Sequence, residues 1–281
     1  MRSQWECLLQ NLGEWQGSFT RFSPQGEILE DTPTVVSFEG LNNNQTIRQI
    51  VRRFPPEQSV QEKVLEYSSL GRGILFFENG AFSQGSIQLG SFSEFGAELG
   101  LINNERRLRL VQLFDKTGRL DRLTLIRERL AGATAAERPP LTVNDLLGEW
   151  QGEGVTLYPD GRSPDTYPTT LLVDINSDGQ LVQQLTIKQG ASKRNIKSTA
   201  RIEGSLLYFD GGPQTNQVLM LPDGASSTSP QQVRVGGAFF LEVGWLLEAD
   251  LRQRLIRFYN DLGEWSTLTL VTERRVTSSK L

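Results

Sequence analysis

The chain contains no histidine, and this absence excludes much of enzyme chemistry. Without an imidazole, the sequence cannot supply a Ser-His-Asp triad, a Cys-His pair or a zinc site with histidine ligands. Any catalysis would depend on carboxylates, lysine, tyrosine or arginine. The single cysteine, Cys7, excludes an intrachain disulfide and fits a reducing compartment. We expect Cys7 to be a buried small hydrophobic residue rather than a reactive thiol.

Long apolar runs and an excess of basic residues are also missing. No stretch approaches the roughly 18 apolar residues of a membrane-spanning helix, and the first ten residues lack the pattern of a secretory signal. The net charge is −4, whereas nucleic-acid binding usually requires a basic surplus. The basic stretch ERRLRL (105–110) is interpreted as a strand with its charged face in water. These features predict a cytoplasmic protein with no membrane span and no nucleic-acid partner.

An internal repeat organises the sequence. The segment GEWQG at Gly13–Gly17 recurs at Gly148–Gly152, and a shift of 135 residues aligns 12–50 with the second copy without a gap. A shift of 145 residues aligns 110–129 with 255–274, and both of these segments contain Leu-Thr-Leu and end in Glu-Arg. Self-similarity at these shifts indicates an internal duplication.

Each copy consists of short segments of alternating apolar and polar residues. Turn sequences such as LNNN, DKTG and NSDG separate them, and helical periodicity is confined to a short segment before each GEW. Many short strands with almost no helix favour an all-β fold of two tandem antiparallel up-and-down barrels, with about 8–10 strands each. The predicted domains are 1–130 and 141–281, and the segment AGATAAERPP (131–140) is predicted to be the linker.

The repeated opening has a mechanical interpretation. Gly13 and Gly148 allow the chain to turn from the short helix into the first strand of each copy. Trp15 and Trp150 follow two residues later, where an indole is expected to plug the floor of the barrel. We interpret this motif as structural rather than catalytic.

The end of each copy offers an arginine as partner for that tryptophan. Arg129 and Arg274 have the strand parity of the preceding Leu-Thr-Leu leucines, so both are expected to point toward the apolar face. An inward arginine needs a partner, and an indole face provides one. We therefore predict that Trp15 stacks on Arg129 and Trp150 on Arg274.

A short helix, a Gly-x-Trp opening and a closing arginine resemble the lipocalin and calycin superfamily. The two-copy arrangement, with the opening WQGSFTRFSPQGE (15–27), resembles a family of cyanobacterial and chloroplast proteins built from two calycin-like barrels and catalogued as a domain of unknown function. In plants this family includes a biogenesis factor for the chloroplast ATP synthase that acts on the β and γ subunits of its catalytic head. The resemblance implies a non-enzymatic assembly protein of the cyanobacterial cytosol, or of the chloroplast stroma if the chain is a mature plastid form, with those subunits as partners.

Arg21, Arg52 and Arg53 in the first copy are the candidate partner-binding residues. The second copy has Thr156 where the first has Arg21, so a function that depends on this arginine belongs to the first copy alone. The alternative function is a lipocalin-like carrier of a small hydrophobic ligand or a tetrapyrrole, with a bilin lyase as its enzymatic version. In a barrel of this size, aromatic side chains either fill the lumen or line a ligand pocket.

No cofactor or metal is expected. The segment DINSDG (174–179) imitates the start of a calcium loop, but Leu185 stands where the loop needs its bidentate glutamate. We interpret this segment as a hairpin turn.

Overall fold

The structure, a computed structural model, describes residues 2–90, 92–190 and 192–276. Its described helices are short and precede the GEW segments: α1 (Gln4–Leu8), a 3-10 helix (Leu9–Asn11) and α2 (Val143–Leu146). A capping box formed by Ser3 and Glu6 starts α1, and Thr142 and Asp145 form the same motif at α2. None of the helices in these ranges is long and apolar enough to cross a membrane.

The first copy forms one curled antiparallel sheet of nine strands. In chain order they are β1 (Gly13–Phe22), β2 (Ile28–Leu41), β3 (Thr46–Arg53), β4 (Gln61–Tyr67), β5 (Ile74–Phe76), β6 (Phe82–Gly85), β7 (Phe95–Asn103), β8 (Arg106–Phe114) and β9 (Leu120–Leu130). Their order across the sheet is β4-β3-β2-β1-β9-β8-β7-β6-β5. The chain thus winds back to pair its first and last strands, and β4 and β5 form the two edges.

The second copy forms a closed antiparallel barrel of ten strands. They are β10 (Gly148–Leu157), β11 (Asp165–Ile175), β12 (Leu181–Gln189), β13 (Ser192–Glu203), β14 (Leu206–Phe209), β15 (Asn216–Met220), β16 (Ala225–Pro230), β17 (Phe239–Glu248), β18 (Leu251–Tyr259) and β19 (Trp265–Arg275). Neighbours in the chain are neighbours in the barrel, and β19 pairs with β10. The contact between β13 and β14 is narrow, with three residue pairs at 201–203.

The largest buried apolar cluster lies between the curled sheet and the barrel rather than inside either lumen. It combines leucines and aromatic residues from the outer faces of β7–β9 and β17–β19. At its centre, the ring of Tyr259 stacks on that of Phe239 at 4.8 Å and meets the ring of Phe95 edge-on at 5.0 Å. The strands that meet here are therefore buried on both faces, because their other faces line the lumens.

Buried polar groups also join the two copies. Arg257 is fully buried and donates hydrogen bonds to the Tyr259 hydroxyl at 2.7 Å and to the Ser86 carbonyl oxygen at 3.0 Å. Arg106 forms an ion pair with Asp223, whose carboxylate also accepts a hydrogen bond from the backbone N–H of residue 138 in the predicted linker. Since unpaired buried polar groups are costly, these contacts fix the two copies in one arrangement.

The all-β, internally duplicated fold with antiparallel up-and-down connectivity is confirmed. The number of strands in each copy is also as predicted. The hydrogen-bonded closure differs between the copies, since strand pairing closes the second copy and leaves β4 and β5 as edges in the first.

Candidate functional site

The repeated GEWQG segment combines two glycines with different tasks. Gly13 and Gly148 have φ values of 123° and 107°, which side-chain-bearing residues rarely adopt. Gly17 and Gly152 lie against the last strand of their copies. A Cβ atom at Gly17 would be 1.8 Å from the carbonyl oxygen of Arg127, and one at Gly152 would be 2.2 Å from a carbonyl oxygen of β19. The first glycine of the motif thus allows a turn, and the second allows the last strand of the copy to approach closely.

The two tryptophans between these glycines are fully enclosed. Trp15 is 1% exposed and Trp150 is 0% exposed. The indole Nε1–H of Trp15 donates to the Asn11 carbonyl oxygen at 2.9 Å, and that of Trp150 donates to the Leu146 carbonyl oxygen at 3.0 Å. Each indole therefore ties the first strand of its copy to the end of the short helix that precedes it.

The arginine on Trp15 is not the predicted one. The guanidinium carbon of Arg107 lies 4.4 Å from the centre of the indole, whereas Arg129 is exposed. Arg129 does share the parity of the Leu-Thr-Leu leucines on β9, but those leucines face the core between the copies. The register places Glu128, not Arg129, opposite Gly17 on the lumenal face. The predicted stacking of Trp15 on Arg129 is therefore wrong.

The same correction applies to the second copy. Arg252 and Arg275 place their guanidinium carbons 4.5 and 4.7 Å from the Trp150 ring. Arg274 has a side chain that is 60% exposed and pairs with Asp250 at 3.2 Å. Here too, the leucines that set the expected parity belong to the core between the copies, so the predicted stacking on Arg274 is wrong.

Each lumen contains a buried cluster of two arginines and two glutamates. We call the set Glu98, Arg107, Arg109 and Glu128 the first lumenal cluster. Arg107 Nε donates to Glu128 Oε2 at 2.7 Å, and Arg109 Nη2 donates to Glu128 Oε1 at 2.8 Å. Arg109 Nη1 reaches Glu98 Oε1 at 2.6 Å. The cluster is thus neutral in sum and internally paired.

The second copy repeats this arrangement. We call the set Glu242, Arg252, Arg254 and Glu273 the second lumenal cluster. Glu273 Oε1 accepts hydrogen bonds from Arg252 Nε at 2.8 Å and from Arg254 Nε at 2.9 Å, and Arg254 Nη1 lies 3.3 Å from Glu242 Oε2. The shift of 145 residues relates both arginines and the central glutamate of the two clusters. The duplication has therefore kept an ionic cluster beside each buried tryptophan.

The central glutamates are held in their ionised form. Burial by itself would raise the pKa of Glu128, but the adjacent Arg107 and Arg109 outweigh it and lower that pKa below its usual range. Burial likewise opposes ionisation of Glu273, and Arg254 and Arg252 again lower its pKa. A carboxylate stabilised in this way is a poor proton donor near neutral pH, so these groups do not resemble general acids.

The three candidate partner-binding arginines lie on two different faces of the first sheet. Arg21 and Arg53 share the lumenal face with Phe19, and Arg53 lies over the Phe19 ring at 4.9 Å. Arg21 pairs with an exposed glutamate on β2 at 3.1 Å. Arg52 lies on the opposite face, where Nε donates to Glu62 at 2.7 Å. The structure therefore brings Arg21 and Arg53 to one face but not Arg52.

The sequence pattern of ERRLRL predicts a strand with its charged face in water, and this prediction does not reveal the lumenal clusters. Arg107 is 1% exposed and Arg109 is 7% exposed. The signal was present in the repeat, since an Arg-x-Arg pair recurs at Arg252 and Arg254. Surface charges have no structural reason to persist in both copies of a duplication, whereas a buried ion pair does.

The fold and these clusters define a class of two-copy, all-β proteins with an ion-pair cluster in each copy. Family models match along the chain: "Domain of unknown function (DUF3598), N-terminal" over residues 1–133, and "Biogenesis factor required for ATP synthase 1, C-terminal domain" over residues 137–276. A crystal structure of a DUF3598-family protein of unknown function from Nostoc punctiforme is 56% identical with a TM-score of 0.92, and the match covers 98% of this chain and 100% of that chain. The chain belongs to the DUF3598 family.

A more distant likeness covers about half of the chain. An S-type phycobiliprotein lyase from Guillardia theta is 12% identical with a TM-score of 0.39, and the match covers 49% of this chain and 92% of that chain. No curated protein matches the chain significantly.

Proposed function

We propose that the protein is a non-enzymatic assembly factor that binds unassembled subunits of the ATP synthase catalytic head, with the β and γ subunits as partners. The observation that carries this proposal is the match of residues 137–276 to the C-terminal domain of an ATP synthase biogenesis factor. The activity in that family name concerns assembly, which requires binding and release of protein surfaces rather than bond chemistry.

The charged groups in the two lumens favour a binding protein over an enzyme. They form ion pairs with one another, and the glutamates at the centre of both clusters are stabilised as carboxylates. An enzyme usually keeps a group whose pKa lies near the working pH and whose acid or base form is free to react. The paired clusters instead act as internal supports for β1 and β10.

The lumenal face of the first sheet suits a transient protein contact where it is open to solvent. On this face Arg21 pairs with Glu30 at 3.1 Å, and the two side chains are 41% and 43% exposed. Exposed pairs of this kind contribute roughly 0–1 kcal/mol. A partner surface can therefore replace one member of a pair at little cost, which favours binding that remains reversible.

Two lumenal-face arginines allow a direct test of the docking face. Purified β and γ subunits are titrated against the immobilised protein, and we expect saturable binding to at least one isolated subunit. If the lumenal face of the first sheet docks, the double variant Arg21→Ala with Arg53→Ala will weaken binding about tenfold or more. Arg52→Ala, on the opposite face, is the matched control and should leave affinity within about twofold.

Binding to the assembled head provides the second readout. Assembly covers subunit interfaces, so the complete catalytic head should bind more weakly than the isolated subunits. If neither isolated subunit binds, the proposed function is wrong. If Arg52→Ala alone abolishes binding, the docking face is the opposite side of the sheet.

A further inference from the structure

An open cleft of about 810 Å³ lies beside the narrow contact between β13 and β14. Because β13 pairs with β14 only at 201–203, the preceding part of β13 and the loop after β14 stand apart. Side chains of both aromatic and polar character line the gap: Arg194, Ser198, Phe209, Asn216, Phe240 and Phe258. The volume falls in the range of small-molecule sites, roughly 300–1,000 Å³. None of these residues belongs to the lumenal clusters.

The aromatic lining of the cleft is not needed to hold the barrel to the first sheet. Phe240 and Phe258 are directly opposite each other in the β17–β18 register. Their neighbour Phe239 points the other way and is buried at 1% exposure in the core between the copies. Phe258 remains 37% exposed. Two rings therefore face the cleft while their strand neighbour fills the core, which leaves an apolar wall accessible to a ligand.

The cationic side of the cleft is exposed to solvent and only partly neutralised. Residues 179–202 contain five Lys and Arg residues and no Asp or Glu. The Arg194 side chain has no ion pair or hydrogen bond within the ranges that the structure describes, although Asp210 on the rim is paired with Arg201 at 3.1 Å. In the β12–β13 register Arg194 is opposite Ile187, on the lumenal face of the hairpin, whereas its neighbour Lys193 points outward.

Asn216 supplies an independent indication of a ligand. Its Oδ1 atom is buried and accepts no hydrogen bond from the described residues. A buried amide oxygen without a donor costs free energy, and a bound molecule with an N–H or O–H group would remove that cost once the Asn216 amide rotates toward the cleft that it lines. The cleft thus combines an apolar wall, a free cation and an unsatisfied amide.

We propose that this cleft binds a small amphipathic anion, a molecule with an aromatic or aliphatic body and a carboxylate or similar head group. The body packs against the wall formed by Phe240 and Phe258, the head group pairs with Arg194, and an N–H or O–H substituent donates to Asn216 Oδ1. The proposal does not depend on the assembly function, because it concerns the second copy and a ligand of small size.

Two fluorescent probes that differ in charge test this assignment. Anilinonaphthalene sulfonate carries an anionic head, and N-phenylnaphthylamine has the same aromatic body without it. The wild-type protein should bind both saturably and the anionic probe more tightly. Arg194→Gln should weaken the anionic probe about threefold to tenfold and leave the neutral probe within about twofold. Lys193→Gln removes the same charge one residue away and should change neither affinity.

The aromatic wall of the cleft and its preference for an anionic head group are tested separately. Phe258→Ala should weaken both probes, with an unchanged melting temperature as evidence that the barrel is intact. Dodecanoate should displace the bound sulfonate probe, and dodecyltrimethylammonium, with the same tail and the opposite charge, should not. The proposal is overturned if the wild-type protein binds neither probe saturably, if Lys193→Gln acts as strongly as Arg194→Gln, or if both surfactants compete equally.

Discussion

Neutralising Glu128 is the sharpest test of the first lumenal cluster. In Glu128→Gln the side chain keeps its shape and one acceptor oxygen, but the buried cluster gains one net positive charge. Arg109 retains the Glu98 carboxylate at 2.6 Å, whereas Arg107 loses the carboxylate that neutralises it and keeps only neutral partners, such as the Asn11 amide oxygen at 3.3 Å. Removing one partner from a buried ion pair costs about 3–5 kcal/mol, because the remaining charge stays buried without compensation.

Urea unfolding followed by tryptophan fluorescence measures this loss, since Trp15 lies against Arg107. We expect the free energy of unfolding to fall by about 3–5 kcal/mol, a large part of the 5–15 kcal/mol typical of folded proteins. Glu62→Gln removes the same charge from an exposed pair and should cost less than about 1 kcal/mol. If both variants lose the same small amount, the cluster is not the support that we describe.

Other substitutions and conditions test separate parts of the structure. Folding lowers the pKa values of Glu128 and Glu273, so the ionised forms of both side chains stabilise the folded protein at any pH above the ordinary carboxylate pKa. This stabilisation is lost as the pH falls through the pKa values that the two groups have in the folded protein. The melting temperature should therefore drop on acidification below about pH 5, and a flat profile down to about pH 3 would contradict this. Trp15→Ala should cost about 3–5 kcal/mol through the cavity left in the floor, and an unchanged melting temperature would show that the indole is not a plug. Arg257→Met should cost about 2 kcal/mol in urea unfolding, because the Gly73 and Ser86 carbonyl oxygens lose a charged donor; a loss below about 1 kcal/mol would refute the role of this contact. Burial raises the pKa of the Cys7 thiol, so a thiol-specific chromogenic disulfide should react with it only after denaturation, and rapid reaction of the native protein would argue against burial.

The sequence alone predicted the duplication, the all-β fold and the burial of an indole at each copy's opening. These features depend on local signals, such as the alternation of apolar and polar residues, turn residues, and a Gly-x-Trp motif that recurs at a constant shift. The predicted domain boundaries, with a linker at 131–140, stay a prediction. That segment is anchored by contacts such as the hydrogen bond from the backbone N–H of Gly224 to the Pro139 carbonyl oxygen at 2.9 Å.

The arginine partners were not predictable from strand parity. Parity shows which residues share a face, but it cannot say which face is the lumen when both faces are buried. Leu125 on β9 is buried in the core between the copies, and Glu128, three residues later, is buried in the lumen. Only the packing of the two copies against each other explains why strands buried on both sides carry leucines on one face and ion pairs on the other.

The difference in closure also has a tertiary cause. In the first copy β5 is only three residues long and pairs with β6 alone, and β4 pairs only with β3, within the described residues. In the second copy the corresponding seam is bridged at 201–203 by three residue pairs. So short a contact leaves no periodic signal in the sequence, because it depends on where the loops place the strand ends.

The central claim, that this protein assists assembly of the ATP synthase head, is tested most directly by affinity capture from a native cyanobacterial lysate. The tagged wild-type protein is the bait, the captured proteins are identified by mass spectrometry, and the Arg21→Ala with Arg53→Ala variant is the matched bait. We predict enrichment of the β or γ subunit on the wild-type protein and a clear reduction on the variant. Recovery of neither subunit on the folded wild-type protein would contradict the assembly function.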